Sequence, residues 1–282
     1  MRVTALLCIA SACVLPAADL PIAGLAYVRY KVSDVEKARG FYTGILGYNA
    51  AFESPTLVSF QINERQFVEI APGLGQEEDE RLDHVAFETT DLYTLRVELN
   101  RRGIPVTMPQ TTPEGDRAVH LTDPDGHRIV FVQYMPGSMH RKTAGQPLSA
   151  KRISTHLLHT GVSVAHEAHG LAFWRDKLGF TEIWRGGPEG QPVRYINLKT
   201  PGSRGDYIEL MLHDQPPTRR QLGSMHHICL EVPAIQPARS EVLKRGAPQS
   251  TEARIGRNRR WQLNLFDPDG TRTELMEPKT VD

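Results

Sequence analysis

Cysteine, net charge and long apolar runs are all scarce in this chain, and each scarcity removes a class of protein. Of 282 residues only three are cysteine: Cys8, Cys13 and Cys229. Two of them sit at the extreme N-terminus, so the body of the chain holds one and no disulfide framework. Cys229 reads as a small apolar core residue. Lys plus Arg and Asp plus Glu number 33 each, so the formal charge is zero. That balance argues against nucleic acid or an anionic membrane surface as the main partner. No run is long enough to span a bilayer. The nearest, "VTALLCIASACVLP", follows Arg2 and precedes the small residues of "PAADL". A short apolar run in that setting is an export signal, cleaved near Ala17 or Ala18. Residues 1–18 are therefore expected to be a signal peptide, and the mature protein periplasmic or secreted. A lipoprotein variant would use Cys13 of "ASAC".

What is present is repetition. Four segments open alike: "GLAYVRYKVSDVEKARGFYTGILGY", "LDHVAFETTDLYTLRVELNRRG", "THLLHTGVSVAHEAHGLAFWRDKLGF" and "MHHICLEVPAIQPARSEVLKRG". Each has a β-rich run, a helical pattern and then a glycine. Ser33 or Asp34 can cap a helix with apolar Val35, Ala38, Phe41, Ile45 and Leu46. Gly47, Gly103, Gly179 and Gly246 fall at helix ends, where a C-cap wants positive φ. Short strands such as "SFQIN", "RIVFVQY", "YIELML" and "WQLNLF" follow. The expected fold is α+β: four β-α-β-β-β units, paired into domains at about 22–136 and 153–278. The polar stretch 137–152 reads as a linker. A curved sheet of paired units leaves a concave cleft, the natural place for a small-molecule substrate.

Two stretches sharpen this plan. "LTDPDGHRIVFVQYMP" and "LFDPDGTRTELMEP" are one turn and strand written twice. Seven residues after the first Asp, the earlier copy has Val130 and the later has Glu274. "DPDG" alone is weak, since those residues make turns everywhere. Together with "FYTGILGY" and "FWRDKLGF", and repeated, it is specific. The chain on these residues resembles the vicinal oxygen chelate superfamily, which includes glyoxalase I, bleomycin resistance proteins and extradiol dioxygenases. The resemblance implies two glyoxalase-like partial barrels, with metal ligands on the first and last strands of each unit.

Placed residue by residue, the resemblance implies His159, Glu209, His227 and Glu274 as ligands in the second domain. Two imidazoles and two carboxylates suit one divalent ion, Ni, Zn, Mn, Co or Fe(II). The matching positions of the first domain are Tyr27, Glu69, His84 and Val130, too few donors for a tight site. A lone strand His is usually a hydrogen-bonded structural residue; four ligand types at matched repeat positions are a different matter. His156 and His226 are expected to point away, His166 and His169 to face solvent, and His120, His127 and His140 not to ligate. Trp174 and Trp184 read as core.

Alternation along "RRWQLNLF" puts Arg260, Gln262 and Asn264 on one face, as candidate substrate contacts with Tyr207 and Met211, which share the face of Glu209. The resemblance implies a glyoxalase-type lyase or isomerase working through a metal-stabilised enediolate, with Glu209 or Glu274 moving the proton. An Fe(II) dioxygenase using His159, His227 and Glu274 is the alternative. It is weakened by Asn264, which stands where the ring-cleaving enzymes have a Tyr. A metal-free ligand-binding protein of the resistance type is the third reading. The sequence is compatible with a homo-oligomer.

Overall fold

The computed structural model describes residues 19–75, 78–144 and 146–281. The segment read as an export signal, with Cys13, lies outside the described residues. Among the described residues no helix is long and apolar enough to cross a membrane.

Four β-α-β-β-β units are present. The first is β1 (Ile22–Val32), α1 (Val35–Gly40), β2 (Ala50–Ser54), β3 (Leu57–Gln61) and β4 (Phe67–Pro72). The second is β5 (Leu82–Thr89), α2 (Leu92–Arg101), β6 (Gln110–Thr111), β7 (Arg117–Thr122) and β8 (Arg128–Gln133). A short helix α3 (Met139–Thr143) follows. The third is β9 (Leu157–Val164), α4 (Glu167–Leu171), β10 (Thr181–Gly186), β11 (Tyr195–Lys199) and β12 (Tyr207–Leu212). Helix α5 (Arg219–Met225) leads into the fourth: β13 (Ile228–Glu231), α6 (Ile235–Lys244), β14 (Ala253–Ile255), β15 (Arg260–Phe266) and β16 (Arg272–Thr280).

Units one and two share an eight-stranded sheet in the order β2-β3-β4-β1-β5-β8-β7-β6, and units three and four share one in the order β10-β11-β12-β9-β13-β16-β15-β14. First strands meet antiparallel at each centre, and each also pairs in parallel with the last strand of its own unit. The middle of the second sheet is therefore β12-β9-β13-β16, which sets the four singled-out positions side by side.

Local chemistry fixes the helices as the repeat suggested. Asp34 caps α1, accepting from the backbone of Glu36 and Lys37. Both α1 and α4 widen into a π-helical turn, Phe41–Ile45 and Ala172–Lys177. Gly47 at φ 78° and Gly179 at φ 77° close them, a conformation that a Cβ disfavours.

The two sheets share one apolar core. Phe87 of β5 lies 5.9 Å from Trp174 and 5.4 Å from Phe180, ring centre to ring centre. The "DPDG" turns fasten the halves together. The first Asp of each, Asp123 or Asp267, accepts from two backbone N–H groups of its own turn. The second Asp reaches across. Asp269 accepts from the Ser33 backbone at 2.9 Å and from its hydroxyl at 2.5 Å, and Asp125 accepts from the Ala165 backbone at 2.8 Å.

Three expectations need correction. The 137–152 stretch is more than a polar spacer, because α3, capped by Ser138, lies within it and lodges against the first sheet. His226 does not point outward. It is 1% exposed, donating from Nδ1 to Glu80 at 2.7 Å and contacting Ser163 Oγ at 2.9 Å through Nε2. It faces the seam between the halves, where sequence gave no partner to see. Trp184 is half-buried at the mouth of the second cleft instead of lying in the core.

Candidate metal centre

The four candidate positions converge. His159 Nε2 lies 3.1 Å from His227 Nε2. Glu274 Oε2 lies 3.5 Å from each of those nitrogens, and Glu209 Oε2 lies 3.6 Å from His227 Nε2. Two donors about 2.1 Å from a shared ion stand roughly 3.0 Å apart at right angles and roughly 3.4 Å at the tetrahedral angle. The observed spacings fit that range, so the donor set suits one first-row divalent ion.

The backbone prepares this geometry. Helix α5 begins with a Thr218–Gln221 capping box and ends at Met225. The Met225 carbonyl accepts from His227 Nδ1–H at 2.9 Å, which leaves the Nε2 lone pair facing the cluster. Gly161 makes the space. A Cβ there would sit 2.3 Å from the His227 ring and 2.5 Å from the Met225 carbonyl. His159 stacks on Tyr207, centroids 4.5 Å apart.

Electrostatics follow. Burial, and then the Arg272 charge, push the His227 imidazolium down to about 3, so the ring is neutral, the form that ligates. Burial raises the Glu209 carboxyl, and the neighbouring Glu274 raises it further. Burial works on Glu274 too, but hydrogen bonds with His159 and His227 and the Arg272 charge outweigh it, and its carboxyl is held well below the usual range.

The expected substrate contacts are distributed around this cluster. Asn264 is the cross-strand neighbour of Glu274, and its Oδ1 is buried without a partner. Gln262 lines a cavity of about 410 Å³ that opens onto Glu209 and Glu274. Arg260 lines an adjoining cavity of about 500 Å³ with Tyr207. Met211 Sδ is 3.9 Å from Arg272 Nη2. Tyr207 is 2% exposed, in an apolar floor with Leu158, Cys229 and Met276. Cys229 is a small buried residue as expected, yet it also neighbours the donors of His159 and Glu274.

Sequence reasoning missed Arg272, Trp184 and Gly161. For Gly161 a signal existed, because Arg29 holds the equivalent position of the first sheet. Gly161 pairs with Glu209 and Arg29 pairs with Glu69. There the guanidinium sits against the carboxylate, 2.7 Å from Glu69 Oε2, and reaches Glu114 at 3.2 Å. His84 turns to Asp83 at 2.7 Å. His140 of α3 completes the filling. It lies 2.9 Å from Glu69 and 2.6 Å from Asp116, stacked 5.3 Å from Tyr27. Burial opposes its charge, but the two carboxylates prevail and raise the imidazolium to about 9. Glu69 is also disfavoured by burial, yet Arg29 and His140 lower it to about 2. The first cleft thus holds its own cations.

Two β-α-β-β-β units per curled sheet, with a His and carboxylate cluster in one cleft, define a metal-dependent vicinal oxygen chelate fold. The chain belongs to the Glyoxalase/Bleomycin resistance protein/Dioxygenase superfamily, whose family model matches residues 24–131 and 156–275. Solved structures agree at the level of fold. The Mn(II)-bound glyoxalase from Novosphingobium aromaticivorans is 18% identical with a TM-score of 0.70, the match covering 93% of this chain and 84% of that one. The 2,3-dioxygenase LapB from Pseudomonas sp. KL28 is 17% identical with a TM-score of 0.69, covering 92% and 93%. Homoprotocatechuate 2,3-dioxygenase from Brevibacterium fuscum, complexed with 3,4-dihydroxyphenylacetate, is 17% identical with a TM-score of 0.68, covering 93% and 82%.

Proposed function

We propose that this protein is a glyoxalase-type lyase or isomerase acting on a small substrate with two adjacent oxygens. His159, Glu209, His227 and Glu274 would hold one divalent ion. The observation that supports the reading is the convergence of His159, Glu209, His227 and Glu274 in the second cleft, with donors 3.1 to 3.6 Å apart along the His159–His227, His159–Glu274, His227–Glu274 and His227–Glu209 pairs. When bound, the ion would supply Lewis acidity toward the paired oxygens. Glu274 reaches both imidazoles, at 3.5 Å each, and is the firmly held carboxylate. Glu209 lies 3.6 Å from His227, and among the described residues it has no second imidazole within ion-pair distance, its donor standing within 4.8 Å of that of His159. Glu209 is therefore the carboxylate free to take a proton from one substrate carbon and return it to the next.

The test follows deuterium incorporation from D2O into a panel of hydroxy-carbonyl compounds, with Mn(II)-loaded protein. Glu209→Gln is expected to keep the metal and lose exchange by about 100-fold or more. Undiminished exchange in that variant overturns the role. A second reading, an Fe(II) extradiol-type dioxygenase, is favoured by the compact triangle of His159, His227 and Glu274, with donors 3.1, 3.5 and 3.5 Å apart. Oxygen uptake with catechols after anaerobic Fe(II) loading would establish it, and no uptake would remove it.

A further inference from the structure

The charge around the proposed centre does not cancel. A divalent ion with two carboxylates and two neutral imidazoles is neutral as a unit. Arg272 then adds a positive charge beside it. Its Nη2 lies 2.8 and 2.9 Å from the two ring nitrogens of His227. Its Nε is buried without a hydrogen-bond partner among the described residues. Arg254 and Arg257 line the same 410 Å³ cavity, with Gln262, Trp184 and Tyr195. Among the described residues, none of these three arginines has a carboxylate within ion-pair distance. Arg272 is half-buried, and Arg254 and Arg257 stand exposed at the cavity mouth, so three positive charges without a protein carboxylate in ion-pair distance line one cleft and favour an anionic group on the ligand.

We infer that the substrate is a small organic acid that carries two adjacent oxygens. Its oxygen pair faces the His and Glu cluster beside Arg272. Its acid group faces Arg254 and Arg257 at the cavity mouth, and its carbon frame lies along Trp184. This rests on the metal-chelate reading above, and the test separates the two.

The probes are catechol and 3,4-dihydroxybenzoate, which share one chelating pair and differ by a carboxylate. Binding to the Mn(II)-loaded protein is measured by calorimetry, and displacement of water from the ion by proton relaxation. The acid is expected to bind about 10-fold or more tighter than catechol. That advantage should shrink as salt rises. The double variant Arg254→Gln with Arg257→Gln should abolish it, leaving Mn(II) affinity and catechol binding unchanged. Arg272→Gln should weaken both probes. If both probes bind wild type equally, the anionic substrate is wrong and the chelate reading stands. If the acid keeps its advantage in the double variant, the assignment to Arg254 and Arg257 is overturned. If neither probe displaces water from the ion, the chelate reading fails and takes this inference with it.

Discussion

Gly161 shows how much one side chain decides. It stands beside Glu209, and any Cβ would collide with the His227 ring at 2.3 Å. In the other sheet the equivalent residue, Arg29, fills the space and neutralises Glu69. The Gly161→Ala variant is therefore expected to displace His227 and weaken Mn(II) binding by about 10- to 100-fold, with the fold retained. Mn(II) titration followed by circular dichroism checks this, and wild-type affinity would contradict it. The four candidate ligands were legible because the repeat placed them in register with Tyr27, Glu69, His84 and Val130. Gly161 against Arg29 was equally visible in the same register. A glycine carries no chemistry of its own, and its role lies in the room it leaves. Arg272 and Trp184 depend on how strands curl, which periodicity does not encode.

At the scale of elements, the "DPDG" turns and α3 do work that spacing alone did not show. Each turn reads locally as an Asx turn, and that part was legible. Its second Asp bonds to the opposite half, a contact at long range and so invisible to local pattern. Asp269→Ala removes the acceptor for the Ser33 backbone and hydroxyl. It is expected to cost about 2 kcal/mol, seen as a lowered thermal midpoint with secondary structure unchanged. Helix α3 is five residues long, too short to show a period, and it buries a histidine. His140, raised from 6.5 to about 9, adds stability that is complete below pH 6.5 and lost as pH rises through 9. Glu69, lowered from 4.5 to about 2, adds stability that is complete above pH 4.5 and lost as pH falls through 2. The melting temperature of apo protein should thus fall between pH 7 and 9.5, and His140→Gln should flatten that slope. An unaltered slope would rule out His140 as its source.

For the whole molecule, the α+β class and the four β-α-β-β-β units were readable from self-similarity, since each unit repeats the same cap, helix and closing glycine. The apolar core that both sheets share was not, because contacts such as Phe87 with Trp174 and Phe180 join distant units. The resulting molecule has two related clefts with opposite contents. One holds Arg29 and His140 against Glu69; the other presents four donors at ligand spacing. The proposed function requires one metal ion per chain, bound by the second cleft. Equilibrium dialysis of apo protein against Mn(II), with elemental analysis of wild type and Glu274→Gln, measures this directly. One tightly held ion per chain is expected in the wild type, with a loss of about 100-fold or more in affinity for the variant. Two ions per chain, or an undiminished ion in Glu274→Gln, would contradict it.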